Sequence, residues 1–182
     1  MISWSLRRAV NTLRQGGIIA YPTEAVYGLG CDPWDEEAVM RLLDIKQRPW
    51  HKGLILIASD FNQLTDFIQP LSPEVLKQVE TTWPGPVTWL LPAKETTPNY
   101  LTGEHDTIAV RVTAHKQTAN LCQAAGHAIV STSANITGLT PAKTIRQVRW
   151  QLPEIEIILS GHCGGASQPS QIRDAKTGDI IR

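Results

Sequence analysis

No stretch of this chain stays apolar for the length that a membrane span requires, and none at its start reads as a secretory leader. Residues 1–17 are instead amphipathic, with Arg7, Arg8 and Arg14 set among apolar neighbours. A cytoplasmic location is therefore expected. Charge of one sign is not in surplus either, because 17 Lys and Arg balance 17 Asp and Glu. A protein that coats itself in nucleic acid carries an excess of cations, so any RNA role here would have to rest on a local patch. Cysteine is scarce: Cys31, Cys122 and Cys163 are odd in number and lack metal-ligand spacing, and they read as buried free thiols of a reducing compartment. The 5 histidines form no His-x-His pair, so no protein-bound metal is expected. A Gly-Lys-Ser/Thr phosphate loop and a Gly-x-Ser-x-Gly nucleophile elbow are both missing.

What is present fits a globular α/β chain. At 182 residues, 42% of them hydrophobic and 19% charged, the sequence has the size of one domain and can bury a sizeable core. Leu6, Ala9, Val10 and Leu13 make one helical face, which Gly16-Gly17 ends. A strand follows at 18–21. Ala38, Val39, Leu42 and Leu43 predict a helix over 36–46, and the apolar run 54–58 predicts a strand covered on both faces. Ser72-Pro73 is an N-cap with a first-turn proline, giving a helix that buries Val75, Leu76 and Val79. Trp83-Pro84-Gly85-Pro86 is a turn before a strand at 87–91. Further strands are expected at 108–112, 128–132 and 155–159, separated by helices over 118–125 and from Thr140-Pro141 through Trp150. The Gly/Ser-rich stretch 161–171 reads as a functional loop, and 172–182 as a closing hairpin with its turn at Lys176-Thr177-Gly178-Asp179.

Two polar triplets carry the chemistry. In Lys46-Gln47-Arg48, Pro49 disfavours a helical Arg48, so Arg48 is expected to be extended just after the helix, where it could point the same way as Lys46. With Lys52 they form a cationic cluster, either a solvated face or an anion clamp in which Arg offers a planar fork and Lys a point charge. In Ser133-Ala134-Asn135 the alternation continues from Ser131, predicting a polar row of Ser131, Ser133 and Asn135 at the end of a strand. Hydroxyls and amides of this kind bind phosphate oxygens, though they also make turns and caps. Arg111 interrupts an apolar strand and faces either solvent or a cleft. Tyr21-Pro22-Thr23-Glu24, followed by Gly28 and Gly30, places the Thr23 hydroxyl and backbone amides at a strand end, a favoured ligand position in α/β folds.

Taken in order, Tyr-Pro-Thr-Glu-x-Val-Tyr-Gly-Leu-Gly, Lys-x-Arg-Pro, Trp-Pro-Gly-Pro-x-Thr, Ala-Val-Arg-Val and Ser-Thr-Ser-Ala-Asn-x-x-Gly closely resemble the YrdC-like threonylcarbamoyl-AMP synthases. The resemblance runs over nearly the whole chain and implies one YrdC-like domain over residues 1–182, a twisted, mixed and largely parallel sheet with flanking helices around a deep basic cavity. It implies an enzyme that joins L-threonine, bicarbonate and ATP into L-threonylcarbamoyladenylate and pyrophosphate, with Mg2+ arriving on the nucleotide. The product would pass to separate transfer proteins that modify adenosine 37 of tRNA. Residue by residue, Lys46, Arg48, Ser133 and Asn135 match the catalytic set. Thr23, Lys52, Arg111 and Ser170 are assigned to substrate. Thr107, Ser131, Thr132, Pro141 and Arg182, together with Lys46, Arg48 and Ser133, are assigned to nucleotide. Glu24 is a candidate acceptor for the threonine ammonium proton. Ala25 replaces the Thr of many relatives, and Ile55, Leu56 and Ile57 stand where some place a His. The rival readings are a non-catalytic module for tRNA or double-stranded RNA, and a carbamoyl transferase using carbamoyl phosphate.

Overall fold

A computed structural model describes residues 3–166 and 168–181. Helix α1 (Trp4–Arg14) starts at Ser3, whose hydroxyl accepts from the Leu6 amide, and buries Ala9, Val10 and Leu13. Strands β1 (Ile19–Pro22) and β2 (Tyr27–Gly30) form a hairpin around Thr23–Val26. Asp35 caps α2 (Glu36–Ile45), which buries Ala38, Val39, Leu42 and Leu43. After a 3-10 turn at Trp50–Lys52 come β3 (Ile55–Ala58) and α3 (Pro73–Glu80), the latter capped by Ser72 with Pro73 in its first turn. Then follow β4 (Val87–Pro92), the one-turn α4 (Asn99–Thr102), β5 (Thr107–Val112), α5 (Lys116–Ala125) and β6 (Ile129–Ser133). The chain continues through α6 (Ile145–Gln151), the short β7 (Ile157–Ile158) and β8 (Gln171–Asp174).

The strands join into an 8-stranded sheet in the order β7-β1-β2-β6-β3-β5-β4-β8. It is mixed, as expected, with less parallel character than the sequence suggested. The β1–β7, β3–β5 and β4–β8 junctions are parallel, whereas β1–β2, β2–β6, β3–β6 and β4–β5 are antiparallel. One face is covered by α1 and α5, with Leu13 and Leu121 packed in one cluster with Tyr21, Ile57 and Ile129. The other buries Leu42, Leu56, Trp89, Val110 and Val148. Cys31 and Cys122 are buried thiols as expected, while Cys163 is only half-buried. Among the described residues no helix is long and apolar enough to cross a membrane.

Several local expectations need correction. Gly28 and Gly30 lie inside β2 rather than in a loop, and at Gly30 two neighbours leave no room for a side chain. A Cβ on Gly30 would stand 2.4 Å from the Val130 carbonyl oxygen and 2.9 Å from the Tyr21 ring. Helix α6 begins after Thr144 rather than at Thr140-Pro141, since Thr144 and Gln147 form a reciprocal capping box. The strand expected at 155–159 shrinks to Ile157–Ile158. The terminal hairpin is present through residue 181, with Asp174 N–H donating to Asp179 O at 2.9 Å and Ile181 N–H to Ile172 O at 2.8 Å.

The close approach at Gly30 fixes the spacing of β2 against β6. Gly30→Ala should destabilise the fold by about 1–3 kcal/mol, as overpacking does elsewhere, read as a lower urea midpoint with unchanged slope.

Candidate functional site

Residues of several strands and of the segments between them enclose a cavity of about 640 Å³. Along β5, Thr107, Ala109 and Arg111 line it from alternate positions, the period of two that a strand imposes. Along β6, Ser131 and Ser133 do the same, with Thr132 at the rim. The β1–β2 turn contributes Thr23 and Glu24, and Thr23 Oγ1 donates to Val26 O at 2.8 Å, which leaves its lone pairs for a ligand. Arg48 and Lys52 reach in from the segment after α2, and Arg48 donates to Gly53 O at 2.9 Å. Pro141 and Ser170 close the remaining sides, with the Ser170 hydroxyl 3.0 Å from that of Thr88. Most of the residues expected from sequence therefore meet in one place. Arg182 lies outside the described residues.

Lys46 and Asn135 are the exceptions. Neither lines the cavity, and the predicted same-side geometry of the two triplets does not occur. Gln47 adopts a left-handed conformation (φ 50°). It closes α2 with a Schellman motif in which Arg48 N–H donates to Leu43 O at 2.9 Å and Gln47 N–H to Asp44 O at 2.9 Å. Lys46 is left at the helix end, 2% exposed. Its Nζ donates to the Ser133 carbonyl and, at 2.8 Å, to the Asn135 carbonyl. The triplets do meet, but the lysine holds the backbone of the second and does not stand beside its side chains. The Asn135 amide is likewise turned into its own loop, donating to Ile136 O at 2.8 Å and Leu139 O at 2.7 Å.

The cavity is of mixed charge, which corrects the expectation of a basic one. Glu24, Asp106 and Asp174 line it together with Arg48, Lys52 and Arg111. Arg111 and Glu24 form a buried pair with Nη2 and Oε2 3.5 Å apart. The Thr113 hydroxyl donates to Glu24 Oε1 at 2.6 Å and the Ala114 amide at 3.2 Å. Glu24 Oε1 is thereby held, while Oε2 faces Arg111. Sequence reasoning missed Thr113 altogether, because nothing local announces a partner 89 positions away. It also missed the apolar wall of Leu54, Leu90 and Leu101, which reads only as core. Among the described residues no group of three or more His, Cys, Asp or Glu could hold a metal ion.

An open-ended α/β sheet whose cavity gathers guanidinium, ammonium and hydroxyl donors at strand ends defines a binder of phosphate- and carboxylate-bearing small molecules. The comparisons narrow that class. A family model for Sua5, YciO and YrdC, described as "Telomere recombination", matches residues 11–182. The chain is 51% identical over 181 residues to a threonylcarbamoyl-AMP synthase of Nitrosococcus oceani, covering 99% of this chain and 98% of that protein. It is 49% identical to one of Escherichia coli, covering 98% and 95%. The P. abyssi Sua5 structure complexed with L-threonine superposes with a TM-score of 0.92 at 33% identity over 100% of this chain. The chain spans only 55% of that larger protein. E. coli YciO superposes with a TM-score of 0.86 at 26% identity, covering 97% of this chain and 87% of that one. The chain belongs to the Sua5/YciO/YrdC family.

Burial, and secondarily the Arg48 charge, push the Lys46 ammonium down from its ordinary 10.5 to about 8. Between those two values the folded protein has released this proton while the unfolded chain still binds it. The Lys46 contribution to stability must therefore rise with pH across that window. Urea melts at pH 7.5 and 9.5 should show the stability of the native protein relative to Lys46→Met growing with pH.

Proposed function

We propose that the cavity makes L-threonylcarbamoyladenylate from L-threonine, bicarbonate and ATP and releases pyrophosphate. The observation that carries this reading is full-length similarity, near half identity, to proteins named threonylcarbamoyl-AMP synthase. The threonine complex of P. abyssi Sua5, a close structural neighbour, supports an amino-acid site on this fold. The alternative of a non-catalytic RNA module is not favoured by these relatives.

The chemistry asks for three anions at once: the threonine carboxylate, the carbamate and the triphosphate. The threonine ammonium gives up a proton to solvent, and the amine nitrogen then forms a bond to the bicarbonate carbon as water leaves. A carbamate oxygen then attacks the α-phosphorus as the bond to the β-phosphate breaks, and pyrophosphate carries away the electron pair. In this reading Arg48 and Lys52 hold phosphate oxygens, while Thr107, Ser131, Thr132, Ser133 and Pro141 border the nucleotide. The wall of Leu54, Leu90 and Leu101 offers an apolar surface for a base. Thr23, Arg111 and Ser170 receive threonine. Lys46 and Asn135 act from behind by fixing the Ser133 loop, so they serve the site by positioning it. Mg2+ would be held by the nucleotide phosphates. The acceleration would come from juxtaposing the reactants, worth about 7–11 kcal/mol, and from donors aimed at the developing phosphorane charge. The product would go to separate cytoplasmic proteins that transfer the threonylcarbamoyl group to adenosine 37 of tRNA.

Incubating the protein with ATP, labelled bicarbonate and L-threonine should give a threonine-dependent labelled adenylate and pyrophosphate; folded protein that yields neither would refute the assignment. Arg48→Ala should lower kcat/KM by about 100-fold with little change in melting temperature.

A further inference from the structure

The buried pair at the cavity floor is built asymmetrically. One Glu24 oxygen, Oε1, receives both the Thr113 hydroxyl and the Ala114 amide. The other, Oε2, is buried with no hydrogen-bond partner and faces Arg111 Nη2 across 3.5 Å. That gap is longer than the 2.7–2.9 Å of a close charge-assisted bond. Arg111 Nε is also buried without a hydrogen-bond partner, although the side chain is 7% exposed. A guanidinium so far out of water, with donors left over, is costly unless something anionic completes its shell. The carboxylate thus supplies a countercharge and a fixed reference point while leaving the guanidinium its hydrogen-bonding capacity.

The restraint on Glu24 is itself anchored. Thr113 Oγ1 accepts from the His115 amide at 3.1 Å, and the His115 side chain caps α5. On the other side, the Ala166 amide donates to Glu24 O at 2.9 Å and the Gly164 amide to Thr23 O at 3.0 Å. Gly164 approaches so closely that a Cβ there would meet Glu24 Cα at 3.2 Å. The loop that ends in Ser170 therefore hangs from the same residue that faces Arg111.

We infer that Glu24 is a positioning residue for substrate selection: locked by Thr113 and Ala114, it holds Arg111 in the pose that grips the amino-acid carboxylate. Its charge also makes this end of the cavity near-neutral, which suits a zwitterionic amino acid and disfavours a triphosphate. The inference rests on the proposed function for the identity of the amino acid, and on geometry alone for the role of Glu24.

The test is a set of Glu24→Gln, Thr113→Val, Arg111→Gln and the Glu24→Gln/Arg111→Gln double variant, each checked for folding by thermal melt. L-threonine and ATP affinities are read by calorimetry, and KM and kcat by adenylate formation. Glu24→Gln keeps the shape and the acceptor oxygen, so it should weaken L-threonine roughly tenfold, equivalent to about 1.4 kcal/mol, with ATP affinity and kcat little changed. Thr113→Val, which leaves the charge in place and removes the lock, should shift threonine affinity in the same direction by less. In the Arg111→Gln background the Glu24 change should add no further loss, because one residue acts through the other. Unchanged threonine affinity in folded Glu24→Gln and Thr113→Val, or losses that multiply in the double variant, would overturn the inference. So would a fall in kcat with threonine affinity intact. Wild-type protein that binds threonine yet forms no adenylate would sink the proposed reaction alone, since the binding measurements judge Glu24 independently.

Discussion

The Lys46 ammonium, withdrawn from water and held by the carbonyls of Ser133 and Asn135, is the constraint on which the cavity depends. Burying a cation is unfavourable by several kcal/mol, and two hydrogen bonds from a charged donor, each worth roughly 1.5–3 kcal/mol, offset much of that. The same residue is tied a second time through its backbone, since Thr137 N–H donates to Lys46 O at 2.9 Å. The end of α2 is thereby fastened to the end of β6 and the loop after it. Arg48 and Ser133 face one cavity because this fastening sets where each chain leaves its element. The left-handed Gln47 then turns the backbone so that the next cation enters the cavity while Lys46 stays beneath it. An L-residue there is strained, and the Schellman bonds around it hold the turn.

The helices were legible in the sequence because their signals are local. The Ser72-Pro73 start and the apolar spacing of α1 and α2 lie within a few residues of what they determine. Parts of the sheet were not, for a matching reason. Strand β2 has little β-branched signal, and its Gly30 is explained only by the Val130 carbonyl and the Tyr21 ring pressing on it across the sheet. The site divided the same way. Ser131 and Ser133 could be placed by strand alternation and Thr107 and Arg111 by the family resemblance, whereas the turned-in Lys46 and the Glu24–Thr113 lock depend on contacts between distant segments. A charge pattern says that cations are near one another; it does not say which of them touches the ligand.

Zero formal net charge conceals a useful segregation. Within the cavity Arg111 is paired with a carboxylate, and Lys46 below the floor is paired with dipoles rather than charge. A carboxylate counterion lowers the local field; a pair of carbonyls satisfies the ammonium donors while leaving its charge to act through the floor. The two buried cations therefore present different faces to incoming anions, although both are nine-tenths or more buried.

That difference bears on how such a site can perform the proposed nucleotidyl transfer. A carbamate carries its own negative oxygen, so once formed it needs no base to attack phosphorus; it needs only to be held in line. What must be overcome is the repulsion between two anions and the loss of freedom on bringing them together. In the proposed reaction the Lys46 ammonium beneath Ser133 would meet the first requirement, and the restrained Glu24–Arg111 pair would meet the second by fixing the amino-acid end. Arg111 and Ser133 stand on β5 and β6, which flank β3 and take their spacing from pairing with it. Catalysis on such a design depends on backbone register more than on the acidity of any one side chain.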